Sequence, residues 1–295
     1  MSEDAPLEPN GAVPCGGCPH ACMLEPGQHG ACRARVNDDG RVRPTSYGRV
    51  TSIALDPIEK KPLRDFMPGS LVLSVGSYGC NLRCPFCQNF EISQADDRDI
   101  PWRDISPDQL VDIACGQRER DPRCRGIAYT YNEPLVGWEY VRDCARLAHE
   151  HDLVNVLVSN GCASEHVVRA LAPLMDAANI DLKAFDPAFY RACGAPGDGS
   201  SSFEAVKRTI ELLAAEPSCH LEVTTLIVPG MNDREDEIAR EASWLASVDE
   251  GILLHVTRFF PRWRMGDARP TPVSTVRRLA DVARLHLPRV FTGNC

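Results

Sequence analysis

From residue 70 onward, short apolar segments alternate with segments of helical spacing, and this alternation constrains the fold more than any other feature. We predict strands at 71–77, 126–131, 154–160, 176–182, 220–228, 251–257 and 289–293. We predict helices at 107–117, 135–151, 164–172, 202–215, 233–247 and 273–286. Such alternation gives parallel strands joined by right-handed crossovers. The sequence therefore predicts an α/β fold, either a partial or full (β/α) barrel of six repeats or an open doubly wound sheet.

The first 69 residues have a different character. Residues 1–14 are acidic and proline-rich, and we predict that they form a disordered lead-in. Residues 15–69 contain many turn signals and few apolar runs, so they cannot build a large core, and a bound metal would help to hold them. We therefore divide the chain into the lead-in, a cysteine-rich segment at 15–69 and the barrel at 70–295.

Composition narrows the classes of partner. A net charge of −9 argues against a general nucleic-acid surface, which needs clustered Lys and Arg. No apolar run approaches the roughly 18 residues of a membrane helix, and the N-terminus lacks the features of a signal peptide. We expect a cytoplasmic protein that binds neither nucleic acid nor membrane. In that reducing compartment, the 14 cysteines point to metal ligation rather than to disulfides.

One group of cysteines lies near the N-terminus, in CGGCPHACMLEPGQHGAC, with the spacing C-x2-C-x3-C-x9-C. Its members are Cys15, Cys18, Cys22 and Cys32. Four thiolates at such short spacing match either a tetrahedral zinc site or a second iron–sulfur cluster, and His20 or His29 could replace one cysteine. Four thiols without a metal are the alternative. The spacing alone does not choose between zinc and iron–sulfur.

A second group follows the first strand predicted for the barrel. GCNLRCPFCQN contains Cys80, Cys84 and Cys87 with the spacing C-x3-C-x2-C. A loop this short can wrap three thiolates around one iron–sulfur cubane, because extended residues span only about 3.3–3.6 Å each. With three cysteine ligands, one iron keeps an open position for a substrate or cofactor. The alternatives are a zinc knuckle without its fourth ligand, or buried cysteines that happen to be close.

The motif C-x3-C-x-aromatic-C, in which Phe86 is the aromatic residue, resembles the signature of the radical S-adenosylmethionine (SAM) superfamily. The resemblance extends over nearly the whole chain from Cys15, through DPIEKKPL, CPFCQNFEISQ, AYTYNEP, AANIDLKAF, YRACGA and VPGMND. These segments resemble the radical SAM component of the AmmeMemoRadiSam system, a relative of pyruvate formate-lyase activating enzymes. The resemblance implies a partial (β/α)6 radical SAM barrel, with a [4Fe–4S] cluster on the three cysteines and SAM bound at the open iron.

The same resemblance implies a reaction. Members of the superfamily use one electron to cleave SAM into methionine and a 5′-deoxyadenosyl radical, which abstracts hydrogen from a substrate. We therefore expect a radical SAM oxidoreductase, with an electron donor of the flavodoxin or ferredoxin type and protein partners from the AmmeMemoRadiSam system. One alternative is an activase for a glycyl radical enzyme. Another, of a different class, is a non-catalytic iron–sulfur scaffold or redox sensor.

Candidate SAM-binding residues follow the predicted strands, because ligands gather at the carboxyl ends of parallel strands. In AYTYNEP, strand alternation places Tyr131 and Glu133 on one side, where a carboxylate could pair with the SAM ammonium. Backbone carbonyls near Asn132 could add hydrogen bonds. In VSNG, Ser159 or Asn160 could contact the methionine part or the ribose, although Asn-Gly is also an ordinary turn signal.

Three further segments carry candidates. DLK places Asp181 and Lys183 on one face; the resemblance implies contacts with the ribose and carboxylate of SAM, and a structural ion pair is the alternative. For His255, in LHVTRFFP, the resemblance implies a ribose or adenine contact, against the alternative of a structural histidine. Cys193, in YRACGA, is a candidate catalytic thiol on the substrate side, which would donate or accept hydrogen, against the alternative of an inert buried cysteine.

Overall fold

A computed structural model of the chain describes residues 11–295. Its strands are β1 (Val13–Pro14), β2 (Met23–Leu24), β3 (Arg35–Asp38), β4 (Arg41–Pro44), β5 (Arg49–Val50), β6 (Ser52–Pro57), β7 (Leu71–Gly76), β8 (Arg103–Asp104), β9 (Cys124–Tyr129), β10 (Val154–Ser159), β11 (Ala177–Asp181), β12 (His220–Ile227), β13 (Leu253–Arg258) and β14 (Val290–Gly293). Its α-helices are α1 (Phe90–Ser93), α2 (Pro107–Arg120), α3 (Trp138–Glu150), α4 (Glu165–Leu171), α5 (Pro187–Ala192), α6 (Ser200–Ala214), α7 (Glu235–Val248) and α8 (Val273–Arg284). Strands and helices alternate from β7 onward, as the apolar pattern predicts.

Eight strands form one sheet, in the order β14-β13-β12-β11-β10-β9-β7-β6. Strand β7 and strands β9 to β14 run parallel, and β6 pairs antiparallel with β7 at one edge. Within residues 11–295 no pairing joins β14 to β6, so the barrel is open. The predicted α/β fold, a partial radical-SAM-type barrel, is confirmed. Strand β6 is not predicted from the sequence, because its buried and exposed residues do not alternate cleanly.

Local signals set several element boundaries. Ser106 caps α2: its hydroxyl accepts from the backbone N–H of Gln109, and the Gln109 side chain accepts from the Ser106 N–H. Strand β9 ends two residues before the predicted limit, and a short 3-10 helix at Pro134–Gly137 precedes α3. Tyr131 and Glu133 therefore lie on the loop after β9 and not on the strand itself. Within residues 11–295 no helix is both long and apolar enough to cross a membrane.

The apolar core of the barrel lies between the sheet and the surrounding helices. Strand residues such as Ile127, Val223 and Leu254 are fully buried there with helix residues such as Leu110 and Leu279. Each such side chain stabilises the fold by about 1.5–3 kcal/mol relative to an exposed one. This core fixes the strands and leaves the loops at their carboxyl ends free to form a site.

The cysteine-rich segment packs against the barrel next to the loop that follows β7. Gly79 of that loop has φ +82°, and a Cβ on it would lie 2.5 Å from the carbonyl oxygen of Cys32. Only glycine allows this approach. Of the lead-in predicted for 1–14, residues 1–10 lie outside the described residues, and Val13–Pro14 instead form β1, paired with β2.

Candidate active site

A cavity of about 340 Å³ opens at the carboxyl ends of the parallel strands. The loop after β7 forms one wall, and the ends of β9, β10 and β11 form the next. Thr224 of β12 and Thr257 of β13 complete the lining. Its volume is in the range of small-molecule sites, and its place in the fold is where parallel α/β proteins bind ligands.

Cys80, Cys84 and Cys87 all line this cavity. The backbone N–H of Leu82 donates to Cys80 Sγ at 3.3 Å, and Cys87 Sγ lies 3.3 Å from the hydroxyl of Ser93. Burial raises the pKa of Cys80 and that of Cys87, so these thiols favour the neutral form unless a cationic centre is bound. Three thiols grouped at one wall fit a cluster held by three cysteines, whose remaining iron would face the cavity.

Glu133 connects the ends of two strands. Its Oε1 accepts from the Ser159 hydroxyl at 2.7 Å and from the Leu135 N–H at 3.0 Å, and its Oε2 accepts from the Asn160 N–H at 2.8 Å. Burial raises the pKa of Glu133 above 4.5, and these donors oppose the rise. A carboxylate offers about four acceptor positions, so one remains for a further donor. The structure thus joins three predicted residues, Glu133, Ser159 and Asn160, along one wall of the cavity.

Two asparagines predicted to bind the cofactor also hold the cysteine loop. Asn160 Nδ2 donates to Asn81 Oδ1 at 2.9 Å and lies 3.6 Å from Cys80 Sγ. Asn132 Oδ1 accepts from the N–H of Ser77 at 2.9 Å, and its Nδ2 donates to backbone carbonyls of the same loop. Both side chains therefore fix the position of the first cysteine relative to the strand ends.

Tyr131 lines the cavity with a backbone φ of +73°. Its hydroxyl donates to Asp56 Oδ2 at 2.7 Å, and Lys61 Nζ donates to the same carboxylate at 2.8 Å. Burial and the bond to Asp56 raise the pKa of Tyr131 to about 12. No role is predicted for Asp56 or Lys61 from the sequence. Their only signal is a carboxylate followed closely by two lysines in DPIEKKPL, and it does not reveal that the pair supports a cavity wall.

Asp181 and Lys183 form an ion pair in the cavity, with Nζ 3.0 Å from Asp181 Oδ2. The Asp181 side chain is 40% exposed and the Lys183 side chain 14%. Burial opposes the charge on Lys183, but Asp181 and the nearby thiols raise its pKa well above the ordinary value. The predicted pair is therefore formed, charged and accessible to a ligand.

His255 lies inside the barrel below the cavity and does not line it. Its Nε2 is 2.5 Å from Glu222 Oε2, and Glu222 also accepts from the backbone amides of residues 64–65. Strand alternation puts His255 on the face of Thr257 but two residues deeper. The predicted SAM contact by His255 is therefore not supported. Thr224 and Thr257, which the sequence does not single out, reach the cavity instead.

Cys193 also lies away from the cavity, behind the cysteine loop at the end of α5. It is fully buried, its thiol bonds to the Cys84 thiol, and its carbonyl accepts from the Arg83 N–H at 2.6 Å. The bond to Cys84 and burial raise the pKa of Cys193, so this thiol favours its neutral form. The predicted role of Cys193 as a catalytic thiol on the substrate side does not fit this position. It supports Cys84 from behind.

The four N-terminal cysteines line a separate, smaller pocket. The structure brings together the four ligands predicted from spacing: Cys15, Cys18, Cys22 and Cys32. His20 also lines this pocket. His29 does not line it, and the Nδ1 atom of His29 lies 3.2 Å from the Arg33 carbonyl oxygen. Within residues 11–295, no three His, Cys, Asp or Glu side chains converge so that they could hold a single metal ion.

The family model for the radical SAM superfamily matches residues 74–242, more than half of the chain. The chain belongs to the radical SAM superfamily. This radical SAM protein is 36% identical over 284 residues to an uncharacterized protein of Methanocaldococcus jannaschii, covering 96% of this chain and 81% of that one. It is 24% identical over 160 residues to a protein of the same organism named "Putative glycyl-radical enzyme activating enzyme", covering 54% of this chain and 62% of that one. It is therefore related to activating enzymes.

Solved structures agree on the fold. A radical SAM methyltransferase from Sphaerobacter thermophilus superposes with a TM-score of 0.56 at 16% identity, covering 76% of this chain and 66% of that one. Streptococcus suis SuiB bound to S-adenosylmethionine superposes with a TM-score of 0.55 at 14% identity, covering 76% and 52%. The chain thus spans about two thirds of the first and half of the second. The superfamily and its fold imply a [4Fe–4S] cluster and SAM as cofactors.

Proposed function

We propose that this protein cleaves SAM reductively at a [4Fe–4S] cluster held by Cys80, Cys84 and Cys87, and then abstracts hydrogen from a substrate. One observation carries the proposal: the three cysteines and the Glu133 carboxylate line one cavity at the strand ends of a radical SAM chain. Cys80, Cys84 and Cys87 would hold the cluster, which would supply the single electron needed to cleave SAM into methionine and a 5′-deoxyadenosyl group.

The chain's own residues bind and orient SAM in this proposal. Glu133 accepts a hydrogen bond from the SAM ammonium at its remaining acceptor position, while Ser159 and Asn160 keep its carboxylate in place. Lys183 donates to the SAM carboxylate, and Asp181 accepts from the ribose hydroxyls. Pairing each buried charge with an opposite charge offsets the cost of its desolvation.

Tyr131 and Asn132 act as positioning residues. The bond from Tyr131 to Asp56 holds the loop after β9 at the cavity, and Asn132 ties that loop to the cysteine loop. Both residues keep the SAM-binding wall at a fixed distance from the three cysteines.

We further propose that this reaction belongs to the AmmeMemoRadiSam system, because the chain resembles the radical SAM component of that system in the segments quoted above. Its partners would be proteins of that system, and its electron donor would be a flavodoxin or a ferredoxin. All 14 cysteines are free thiols, which supports a reducing compartment, the cytoplasm. The relative named as an activating enzyme favours a second candidate, activation of a glycyl radical enzyme. A glycyl radical signal by electron paramagnetic resonance, formed on such an enzyme when it is added, would identify that function.

The test is anaerobic reconstitution with iron and sulfide, followed by SAM and dithionite, with 5′-deoxyadenosine and methionine measured by chromatography. We expect the wild type to form both products in equal amounts and Cys84→Ala to form neither. Cys115→Ala is the matched control, because this half-buried cysteine of α2 lines neither cysteine pocket. A fully loaded wild type that yields no 5′-deoxyadenosine, even with a stronger reductant, would replace the proposal with a non-catalytic iron–sulfur scaffold.

A further inference from the structure

The hydroxyl of Ser93 lies against one of the three cysteines that are proposed to hold the cluster. Ser93 ends α1, the short helix after the cysteine loop, and its side chain is buried and lines the cavity. Its Oγ lies 3.3 Å from Cys87 Sγ. Either of these two atoms can carry the proton of the bond, so the other contacts of Ser93 decide which one donates.

Gln94 fixes the direction of this bond. Its Oε1 accepts from the Arg33 guanidinium at 3.2 Å, and its Nε2 donates to the Leu82 carbonyl at 3.1 Å. A guanidinium can only donate and a carbonyl can only accept, so these two contacts assign the oxygen and the nitrogen of the amide. The second proton of Nε2 is donated to Ser93 Oγ at 3.2 Å. The Ser93 oxygen is therefore an acceptor toward Gln94, and its own proton is available to Cys87.

A bound cluster would settle the direction of the bond independently. A cysteine that ligates iron is a thiolate and has no proton to donate. The Ser93 hydroxyl would therefore donate to Cys87 Sγ in a charge-assisted bond. Because Ser93 is buried, water has little access to replace this donor if the hydroxyl is removed.

The hydrogen-bonded chain that ends at Cys87 begins in the cysteine-rich segment. Arg33 donates to Gln94, Gln94 donates to Ser93, and the hydroxyl of Ser93 points to Cys87. All three bonds run in the same direction, away from the guanidinium charge and toward the sulfur. Hydrogen bonds aligned in this way polarise one another, so the cation strengthens the last donor of the chain.

We propose that the Ser93 hydroxyl donates to the Cys87 thiolate and thereby raises the reduction potential of the cluster. Arg33 and Gln94 hold the hydroxyl in this orientation, so all three act as positioning residues. The inference rests on the proposed function, because it needs a cluster on the cysteine loop. Hydrogen bonds to the sulfurs help to set the potential of an iron–sulfur cluster. The reduced cluster carries one more negative charge than the oxidised one, so a donor stabilises the reduced state more.

The first test is a redox titration of reconstituted Ser93→Ala without SAM, followed by electron paramagnetic resonance. We expect the iron content of wild type. At the midpoint potential of wild type, the ratio of reduced to oxidised cluster should be about tenfold lower, a negative shift of about 59 mV for one electron. Ser93→Thr keeps the hydroxyl and should restore the potential of wild type. Ser70→Ala is the matched control, because this buried serine lies at the other end of β7 from the cysteine loop.

Three results of this titration would overturn the proposal. The first is an unchanged potential in Ser93→Ala, and the second is an equal shift in Ser93→Ala and Ser93→Thr. The third is loss of iron from Ser93→Ala, which would show that the hydroxyl retains the cluster and does not tune it.

The bond itself is detected by electron nuclear double resonance of the reduced cluster in deuterated buffer. We expect wild type and Ser70→Ala to show a coupled, exchangeable deuteron that is absent from Ser93→Ala. Identical deuteron signals in all three proteins would place the Ser93 proton elsewhere and overturn the proposal.

Arg33→Gln tests the beginning of the chain. We expect a shift of the potential in the same direction as in Ser93→Ala but smaller, because the hydroxyl remains and only the polarising charge is lost. Arg43→Gln is the matched control, since Arg43 belongs to the same segment and is bound to Asp38. An unchanged potential in Arg33→Gln would overturn the part that the cation is proposed to have.

These measurements separate the inference from the proposed function. The potential and the deuteron signal need only a bound cluster, whereas the proposed function needs formation of 5′-deoxyadenosine. A wild type that holds a cluster but does not cleave SAM would contradict the proposed function alone. Cleavage of SAM by wild type, together with an unchanged potential in Ser93→Ala, would contradict the inference alone.

Discussion

The cysteine-rich segment at 15–69 and the barrel at 70–295 both gather cysteines, but they are stabilised in different ways. The barrel has a continuous apolar core between its sheet and helices. The segment's own small cluster contains Cys32 and Ala34, and it is completed by Tyr78, Ala95 and Val136 from the barrel. A segment with so little apolar surface needs ligands or a neighbour to hold it.

The two cysteine groups also differ in their surroundings. The three barrel cysteines face a cavity large enough for a small molecule, and their loop is fixed by strands that fold without them. The four N-terminal cysteines line a small pocket between the cysteine-rich segment and the barrel. Loss of the cluster from the barrel should therefore remove activity, whereas loss of a metal that we predict at the N-terminal cysteines should remove structure in the segment.

The largest expected effect tests that difference directly. If metal is stripped from reconstituted protein with ferricyanide and a chelator, we expect trypsin to cleave first in the β3–β4 hairpin, after Arg41, while a barrel fragment persists. A structural metal contributes on the order of 10 kcal/mol to the folding of a small module. The measurement is limited proteolysis with mass spectrometry, and reconstituted protein is the control. A segment as resistant without iron as with it would show that packing on the barrel suffices.

The next effect concerns the barrel alone. Glu241 of α7 is fully buried, and burial raises its pKa from 4.5 to about 8. The Thr225 hydroxyl donates its single proton to the Leu182 carbonyl at 2.9 Å, so its oxygen can accept from a protonated Glu241. Because the folded state binds this proton more tightly than the unfolded state, the free energy of unfolding should fall as the pH rises from about 4.5 to 8.

Glu241→Gln should remove this fall in the free energy of unfolding with rising pH. We expect little difference from wild type near pH 5 and a stabilisation of up to about 5 kcal/mol above pH 8, measured by urea unfolding. Glu235→Gln, an exposed residue of the same helix, is the control. The iron content after reconstitution should be unchanged. A variant equally stable relative to wild type at both pH values would show that Glu241 is ionised in the fold.

How far the sequence predicts these features depends on whether they are local. Patterns within a few residues predict strand β7, the cysteine loop that follows it, and the placement of Asp181 and Lys183 on one face. All three are present in the structure. His255 does not reach the cavity, because strand alternation predicts the face of a residue but not its depth in the barrel. Cys193 lies behind the loop because α5, a helix too short to be predicted from periodicity, carries it there.

The smallest expected effect concerns ligand binding in the barrel, where the N-terminal cysteines have no part. Glu133→Gln keeps an oxygen that can accept from Ser159 or Asn160 but loses the charge proposed to pair with the SAM ammonium. A hydrogen bond to a charged group contributes about 1.5–3 kcal/mol, so SAM affinity should fall about 10- to 100-fold. Calorimetric titration of SAM into reconstituted protein measures it, with the exposed Glu165→Gln as control.

Iron content in Glu133→Gln should equal that of wild type, because this side chain is proposed to contact SAM and not the cluster. If SAM affinity is unchanged while the loop after β9 becomes sensitive to protease, Glu133 serves only to join the ends of β9 and β10. If both SAM affinity and iron content fall, the carboxylate holds the cysteine loop through Asn160, and the barrel site depends on its walls for its structure.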